Sequence, residues 1–127
     1  MEIALGRLFE ARGSLAKLLD AELPIKEAYN ISKILKSAQV ELDFFENERK
    51  KLIKKHGDKP DENGDIKVKE ENISKFTEEF QKVLDMNVNI SGDKVDLNLV
   101  NEKIKLTPKD IILLEPILEN MVEQKDE

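Results

Sequence analysis

Six apolar residues, Ala28, Ile31, Leu35, Ala38, Leu42 and Phe45, follow one another at intervals that alternate between three and four positions. That spacing places them along one stripe of an α-helix. The same register continues to Arg49 and Leu52, and Ile25, Ile34, Phe44 and Ile53 widen the stripe. Pro24 suits the first turn, where its missing N–H is not needed. His56-Gly57 ends the run, with Gly57 expected as a left-handed cap after a basic last turn. The spacing therefore predicts a helix from Pro24 to about Lys55, and thirty such residues span about 45 Å at ~1.5 Å each. A seam of that length must be covered along its whole course, and this demand constrains the rest of the chain.

Residues 1–20 read as a shorter amphipathic helix, with Ala4, Leu8, Ala11, Leu15 and Leu18 on one stripe. Gly6 and Gly13 weaken it slightly and suggest close approach by a neighbour. The break at Ala21-Glu22-Leu23-Pro24 is short, so the two helices are expected to pair antiparallel as a hairpin. The far end of the longer helix, Leu42 to Ile53, then outruns its companion.

Asp58 to Asp65 is a polar loop with turn residues at Pro60 and Asn63-Gly64. Ile66-Lys67-Val68 alternates as a short strand would. A third helix opens near Asn72, with Ile73, Phe76, Phe80, Val83 and Leu84 at helical spacing. From Asn87 the period falls to two: Val88 and Ile90, a loop at Ser91 to Lys94, then Val95, Leu97 and Leu99. That pattern predicts a β-hairpin, with Ile104 and Leu106 as a further short strand. Thr107-Pro108-Lys109-Asp110 has the form of a capping box with proline at the first helical position. The final helix carries Ile111, Leu114, Leu118 and Met121, and Pro116 should kink or break it.

The fold class read from this order is α+β, mainly α. It comprises an N-terminal antiparallel helical hairpin, a third helix, a small antiparallel β-hairpin or meander, and a Pro-kinked C-terminal helix. One domain covers 1–127, as a helical hairpin (1–57) and an acidic α+β half (58–127), with 123–127 as a frayed tail.

The 127-residue chain has no Cys, which removes disulfides, Cys-ligated zinc, iron–sulfur clusters and thiol catalysis. Its charge is uneven. Residues 1–57 hold 11 Lys/Arg against 9 Asp/Glu, a balance of +2, and residues 58–127 hold 10 against 18, a balance of −8. The acidic half argues against nucleic-acid binding, where phosphate neutralisation supplies most of the affinity. The basic run Arg49-Lys50-Lys51 with Lys54, Lys55 and His56 complements the negative end of its helix instead. No apolar run approaches the ~20 residues of a membrane helix, and the start, charged throughout, reads as intracellular.

Candidate chemistry is sparse. Residues 59–70 overlay a calcium-binding EF-hand loop, with Asp61, Asn63, Asp65 and Glu70 as candidate ligands. Lys59 stands where the first carboxylate belongs, so the match lacks a ligand. His56, the single histidine, reads as a helix-end cap. The pairs Glu70-Glu71 and Glu78-Glu79 diverge by ~100° on a helix and do not converge on one atom; they read as solvated surface. No phosphate loop, nucleophile elbow or HExxH is present, and no catalytic residue or cofactor is expected. Arg49, in the apolar register, implies either that the helix leaves the core there or that an acid meets it. Emergence from the core is the simpler account.

Three segments, "ARGSLAKLLDAELPIKEAYNISKIL", "DENGDIKVKEENISKFTEEFQKVLD" and "IKLTPKDIILLEPIL", carry a resemblance across nearly the whole chain. Together they resemble a family of small phage and prophage proteins of unknown function from Gram-positive bacteria and their viruses. The resemblance implies a viral or prophage origin and supplies no catalytic residues. The expected function is a non-enzymatic structural or protein-interaction module acting in virion assembly, in the host cytoplasm or on the virion. Its partner would be a protein or a second copy, not nucleic acid or membrane. Leu42, Phe45, Arg49 and Leu52, on the uncovered end of the long helix, are the candidate interaction surface. Two alternatives are an acidic inhibitor of a host nucleic-acid-binding protein and, more remotely, a calcium-binding loop.

Overall fold

The computed structural model describes residues 1–119. Met121 and the 123–127 tail lie outside the described residues. The fold is α+β and mainly α, built around one long helix. A short strand β1 (Glu2–Ala4) leads into helices α1 (Leu5–Glu10) and α2 (Arg12–Lys17), followed by a 3₁₀ turn over 18–20. The long helix α3 runs over Ile25–His56, and α4 follows at Ile73–Leu84 after a 3₁₀ turn at 70–72. Strands β2 (Asn87–Asn89) and β3 (Val95–Asp96) come next, then α5 (Leu97–Asn101), α6 (Pro108–Leu114), a 3₁₀ turn at 115–117 and β4 (Leu118–Glu119).

The first helix starts later than the spacing predicts. Residues 2–4 are strand, pairing antiparallel with β2 so that Ile3 faces Val88. The ladder extends at both ends: Ile90 N donates to Met1 O at 2.7 Å and Leu5 N to Met86 O at 2.7 Å. Beyond it the helical stripe holds, because Leu8, Ala11, Leu15 and Leu18 are all buried. This segment packs antiparallel along α3 from Ile31 to Phe45, with the Phe9 ring 4.5 Å from that of Phe45.

Phe45 is only 1% exposed, which corrects its reading as surface. The reason is α4, which lies over the second half of α3 and sets Phe80 5.7 Å from Phe45. The seam beyond Leu42 therefore has a cover. His56 closes it: its ring sits edge-on to Phe76 at 6.2 Å, and its Nε2 contacts Glu79 Oε1. His56 is thus buried rather than a solvated cap, and Glu79 is a half-buried clasp rather than surface. Lys55 Nζ donates to the same carboxylate at 2.8 Å. Lys55 foremost, and then His56, hold the Glu79 carboxyl below its ordinary range.

Gly57 is not left-handed; its backbone is extended, at φ −86 and ψ 163. Glycine is needed there for space, since a Cβ would collide with Ile53 O and Ile66 Cγ2. Gly57 and Val68 form a single antiparallel bridge instead of a strand.

The expected hairpin across Ser91 to Lys94 does not form. Its two arms pair elsewhere, β2 with β1 and β3 in parallel with β4. The connecting loop is spent on α3. Ser91 N donates to Ser37 Oγ at 2.9 Å, Asp93 N to Asn30 Oδ1 at 2.7 Å, and Asn30 Nδ2 to Asp93 O at 3.0 Å. Gly92 makes the close approach at φ +106, where a Cβ would lie 2.7 Å from Ile34 Cγ1. Leu97 and Leu99 are helical because Asp96 accepts from Asn98 N and caps α5. Ile104 and Leu106 lie in the turn before α6, not in a strand.

The capping box at Thr107 and Asp110 is present in full, with Pro108 opening the helix. Pro116 breaks the helix after Leu114, so Leu118 reaches the core from a strand. Asp110 also fastens the two ends of the fold together. It accepts from Ser14 Oγ at 2.6 Å and from Lys17 Nζ. Lys17 foremost, then Ser14 and the backbone N–H of Thr107, hold the Asp110 carboxyl well below the usual carboxylate range.

A group stabilised as its anion contributes its full stability above its ordinary value near ~3.9 and loses it progressively as pH falls from there through its lowered value in the fold. Asp110→Asn is expected to cost about 2 kcal/mol near pH 7, with the deficit constant from about pH 5 to 8 and narrowing below about pH 4. Urea titrations across that range check it. Gly57→Ala is expected to cost about 1–3 kcal/mol through overpacking. Gly13→Ala, where an added Cβ meets nothing within 4 Å, should instead gain about 0.5–1 kcal/mol; thermal melts distinguish the two.

Candidate functional site

Between the α1–α2 segment and the first half of α3 the two helical surfaces diverge and leave a groove. One wall is Phe9, Leu15, Ala16 and Leu19; the other is Leu35, Ala38, Leu42 and Phe45. The space between them is about 550 Å³. Toward the start of α3 it meets a second apolar hollow of about 230 Å³, floored by Leu18, Leu23, Ala28 and Ile31 and sharing Leu19 and Leu35. Leu19 stands at the junction and is 68% exposed.

The groove exists because the short segment changes conformation before α3 does. α2 gives way to a 3₁₀ turn at Leu18, which carries Leu19 outward while Leu18 stays in the core. Across the groove, Leu35 and Leu42 belong to the seam but are only partly buried.

Charge is graded along the groove rim. Lys36 lies on the side nearer Leu19, and Asp43 and Glu46 lie toward Phe45. Arg12 caps the latter end, its guanidinium 3.8 Å above the Phe9 ring and donating to Phe9 O at 2.7 Å. Arg49 pairs with Glu46 through two N–H groups, and that pairing holds the Glu46 carboxyl below its ordinary value. The acid meeting Arg49 is thus one turn away on its own helix.

Of the four expected interaction residues, Leu42 lines the groove, Phe45 forms its buried floor, and Arg49 is taken by Glu46. Leu52 is half-buried. The sequence does not single out the groove or its most exposed large apolar residue, Leu19. Leu19 falls one step off the Leu15–Leu18 register, and that displacement was the available signal. A second missed feature is the outward face of α3, where Tyr29 and Val40 are exposed.

The 59–70 loop satisfies its own carboxylate. Asp61 Oδ1 accepts from Asn63 N at 2.8 Å and Asp65 N at 2.9 Å, and Gly64 N donates back to Asp61 O at 3.0 Å. This is an Asx-type turn. Glu70 lies apart from it, opening the 3₁₀ turn before α4. Among the described residues no group of three or more His, Cys, Asp or Glu side chains is placed to hold a metal ion. Also among them, no helix is long and apolar enough to cross a membrane.

Compared with protein-family models, curated proteins and solved structures, the chain matches none.

Titration calorimetry with calcium up to millimolar concentration is expected to give no binding heat. A saturable heat abolished by Glu70→Ala would show a site the turn geometry does not provide.

Proposed function

We propose that this protein is a non-enzymatic interaction module whose groove between the α1–α2 segment and α3 receives an amphipathic helix of a partner protein. The observation that carries the reading is the apolar lining: Leu15, Leu19, Leu35 and Leu42 face a common space, and Leu19 is left in water. An unpartnered leucine row beside a helix is the surface that helix-in-groove recognition uses, with anchors at i, i+3/i+4 and i+7. The rim specifies the occupant further. A complementary helix carries an acid toward Lys36 and a base toward Asp43. The seam from Ala28 to Phe45 spans about 25 Å at ~1.5 Å per residue, which accommodates about sixteen residues of helix.

The sequence's likeness to small phage and prophage proteins supports virion assembly as the setting, in the host cell. The side chains best placed for chemistry are already engaged: Asp110 with Ser14 and Lys17, and Glu79 with His56 and Lys55. They hold the fold together, which supports a non-enzymatic reading.

Selection from a displayed library of helical peptides tests the groove. The expected binders carry leucine-type anchors at i, i+3/i+4 and i+7, and lose at least tenfold in affinity against Leu19→Glu, while its circular dichroism matches the parent. Failure to select any helical binder, or binders indifferent to Leu19→Glu, refutes the reading.

A further inference from the structure

The outward face of α3, away from both the core and the floor of the groove, has a pattern that fits one partner. Tyr29, Lys33, Lys36, Val40, Asp43, Asn47 and Lys51 are all exposed, and they follow one another at intervals of three or four. Val40, at the middle of this stripe, is 65% exposed, and Tyr29 is 64% exposed. At ~100° per residue, Val40 stands about 160° from the buried Ala38, so no other part of the described chain shelters it.

The charges on this stripe have a direction. Lys33 and Lys36 lie on the N-terminal side of Val40, and Asp43 lies on the C-terminal side. Neither Lys36 nor Asp43 takes part in an ion pair among the described residues; Asp43 accepts only from Gln39 Nε2, at 2.9 Å. Two helical turns, about 10 Å, separate Lys36 from Asp43 along the axis, too far for them to pair within one chain.

We propose that α3 pairs antiparallel with α3 of a second copy, about a two-fold axis at Val40, with Lys36 of each copy against Asp43 of the other. Residues whose numbers sum to roughly 80 then face each other. Val40 meets Val40, Lys36 meets Asp43 twice over, and Tyr29 meets Lys51. Such an isologous contact is self-complementary, as two-fold symmetry demands. The parallel alternative sets Lys36 against Lys36 and Asp43 against Asp43, and is repelled. The Tyr29 ring already draws a cation, since Lys33 Nζ lies 5.2 Å from its centroid, and Lys51 would add a second. Lysine stems lie along the apolar strip with their ammonium groups in water. Exposed ion pairs contribute modestly, so association is weak and falls as salt rises.

The contact shares the rim residues Lys36 and Asp43 with the groove, and Val40 and Leu19 tell the two apart. Val40 belongs to the dimer face alone and Leu19 to the groove alone, so the two proposals fail separately.

Sedimentation equilibrium of the full chain at low ionic strength is expected to show a concentration-dependent dimer. Val40→Glu should raise its dissociation constant at least tenfold while leaving the circular dichroism unchanged. Lys36→Asp and Asp43→Lys should each be monomeric alone, and mixing them should restore a dimer, because both crossed pairs become opposite in sign. The absence of native cysteine permits one spin label at Lys54→Cys. In the antiparallel dimer the two labels lie about 40 Å apart, against about 10 Å in a parallel one. A chain that stays monomeric at millimolar concentration, a dimer indifferent to Val40→Glu, a mixture that does not associate, or the short label distance overturns the proposal.

Discussion

Phe45 sits where two coverings of the long helix meet. A helix of 32 residues is longer than any single neighbour in a chain of this size, so its apolar stripe is sheltered in two stages. The α1–α2 segment takes the first stage and α4 the second. Phe45 touches both, through Phe9 and Phe80. From there the rings continue, Phe80 stacked on Phe76 at 5.6 Å and Phe76 against His56. Five rings thus run from the first helix to the last residue of α3. Aromatic pairs contribute beyond the area they bury, and here they also fix where each neighbour sits along the rod.

How much of this the amino-acid order announces depends on how far each interaction reaches. α3 was legible nearly to the residue, because its signal is local periodicity bounded by Pro24 and Gly57. The capping box at Thr107 and the break at Pro116 were legible for the same reason: both act within one turn of helix. The pairing of strands was not. Val88, Ile90 and Val95 have the alternation of a hairpin, but Ser91 to Asp93 bind Asn30 and Ser37 on α3, more than fifty residues away. Tertiary hydrogen bonds chose the partners there, and no neighbouring residue reports them. Gly57 shows a related limit. Its place after a basic last turn suggests a left-handed cap, whereas the crowding that requires glycine comes from Ile53 O one turn back and, across the loop, from Ile66.

The surface readings divide in a similar way. The 3,4 register predicts core wherever the sequence offers a cover and contact surface where it offers none. That rule fails at Phe45, because α4 closes over it from a distance in sequence. It also passes over Leu19, Tyr29 and Val40, which lie outside the register. Apolar side chains out of register on a helix otherwise lined with Lys, Glu and Asp are the informative ones, since the fold does not ask for them.

Three of the fastenings already described join distant parts of the chain: Ile3 beside Val88, Ser14 bonded to Asp110, and Val95 paired with Leu118. A polypeptide this rich in helix would ordinarily collapse within microseconds to milliseconds through near-neighbour contacts, yet these closures bring a higher contact order and the slower kinetics that accompany it. On the ribosome, α3 can coil as soon as it emerges and α1 can pack on it through Phe9 and Phe45, but Ser14 and Lys17 of α2 have no carboxylate to hold until Asp110 has been made. Closure of the fold therefore waits on the segment that carries Asp110 and Leu118.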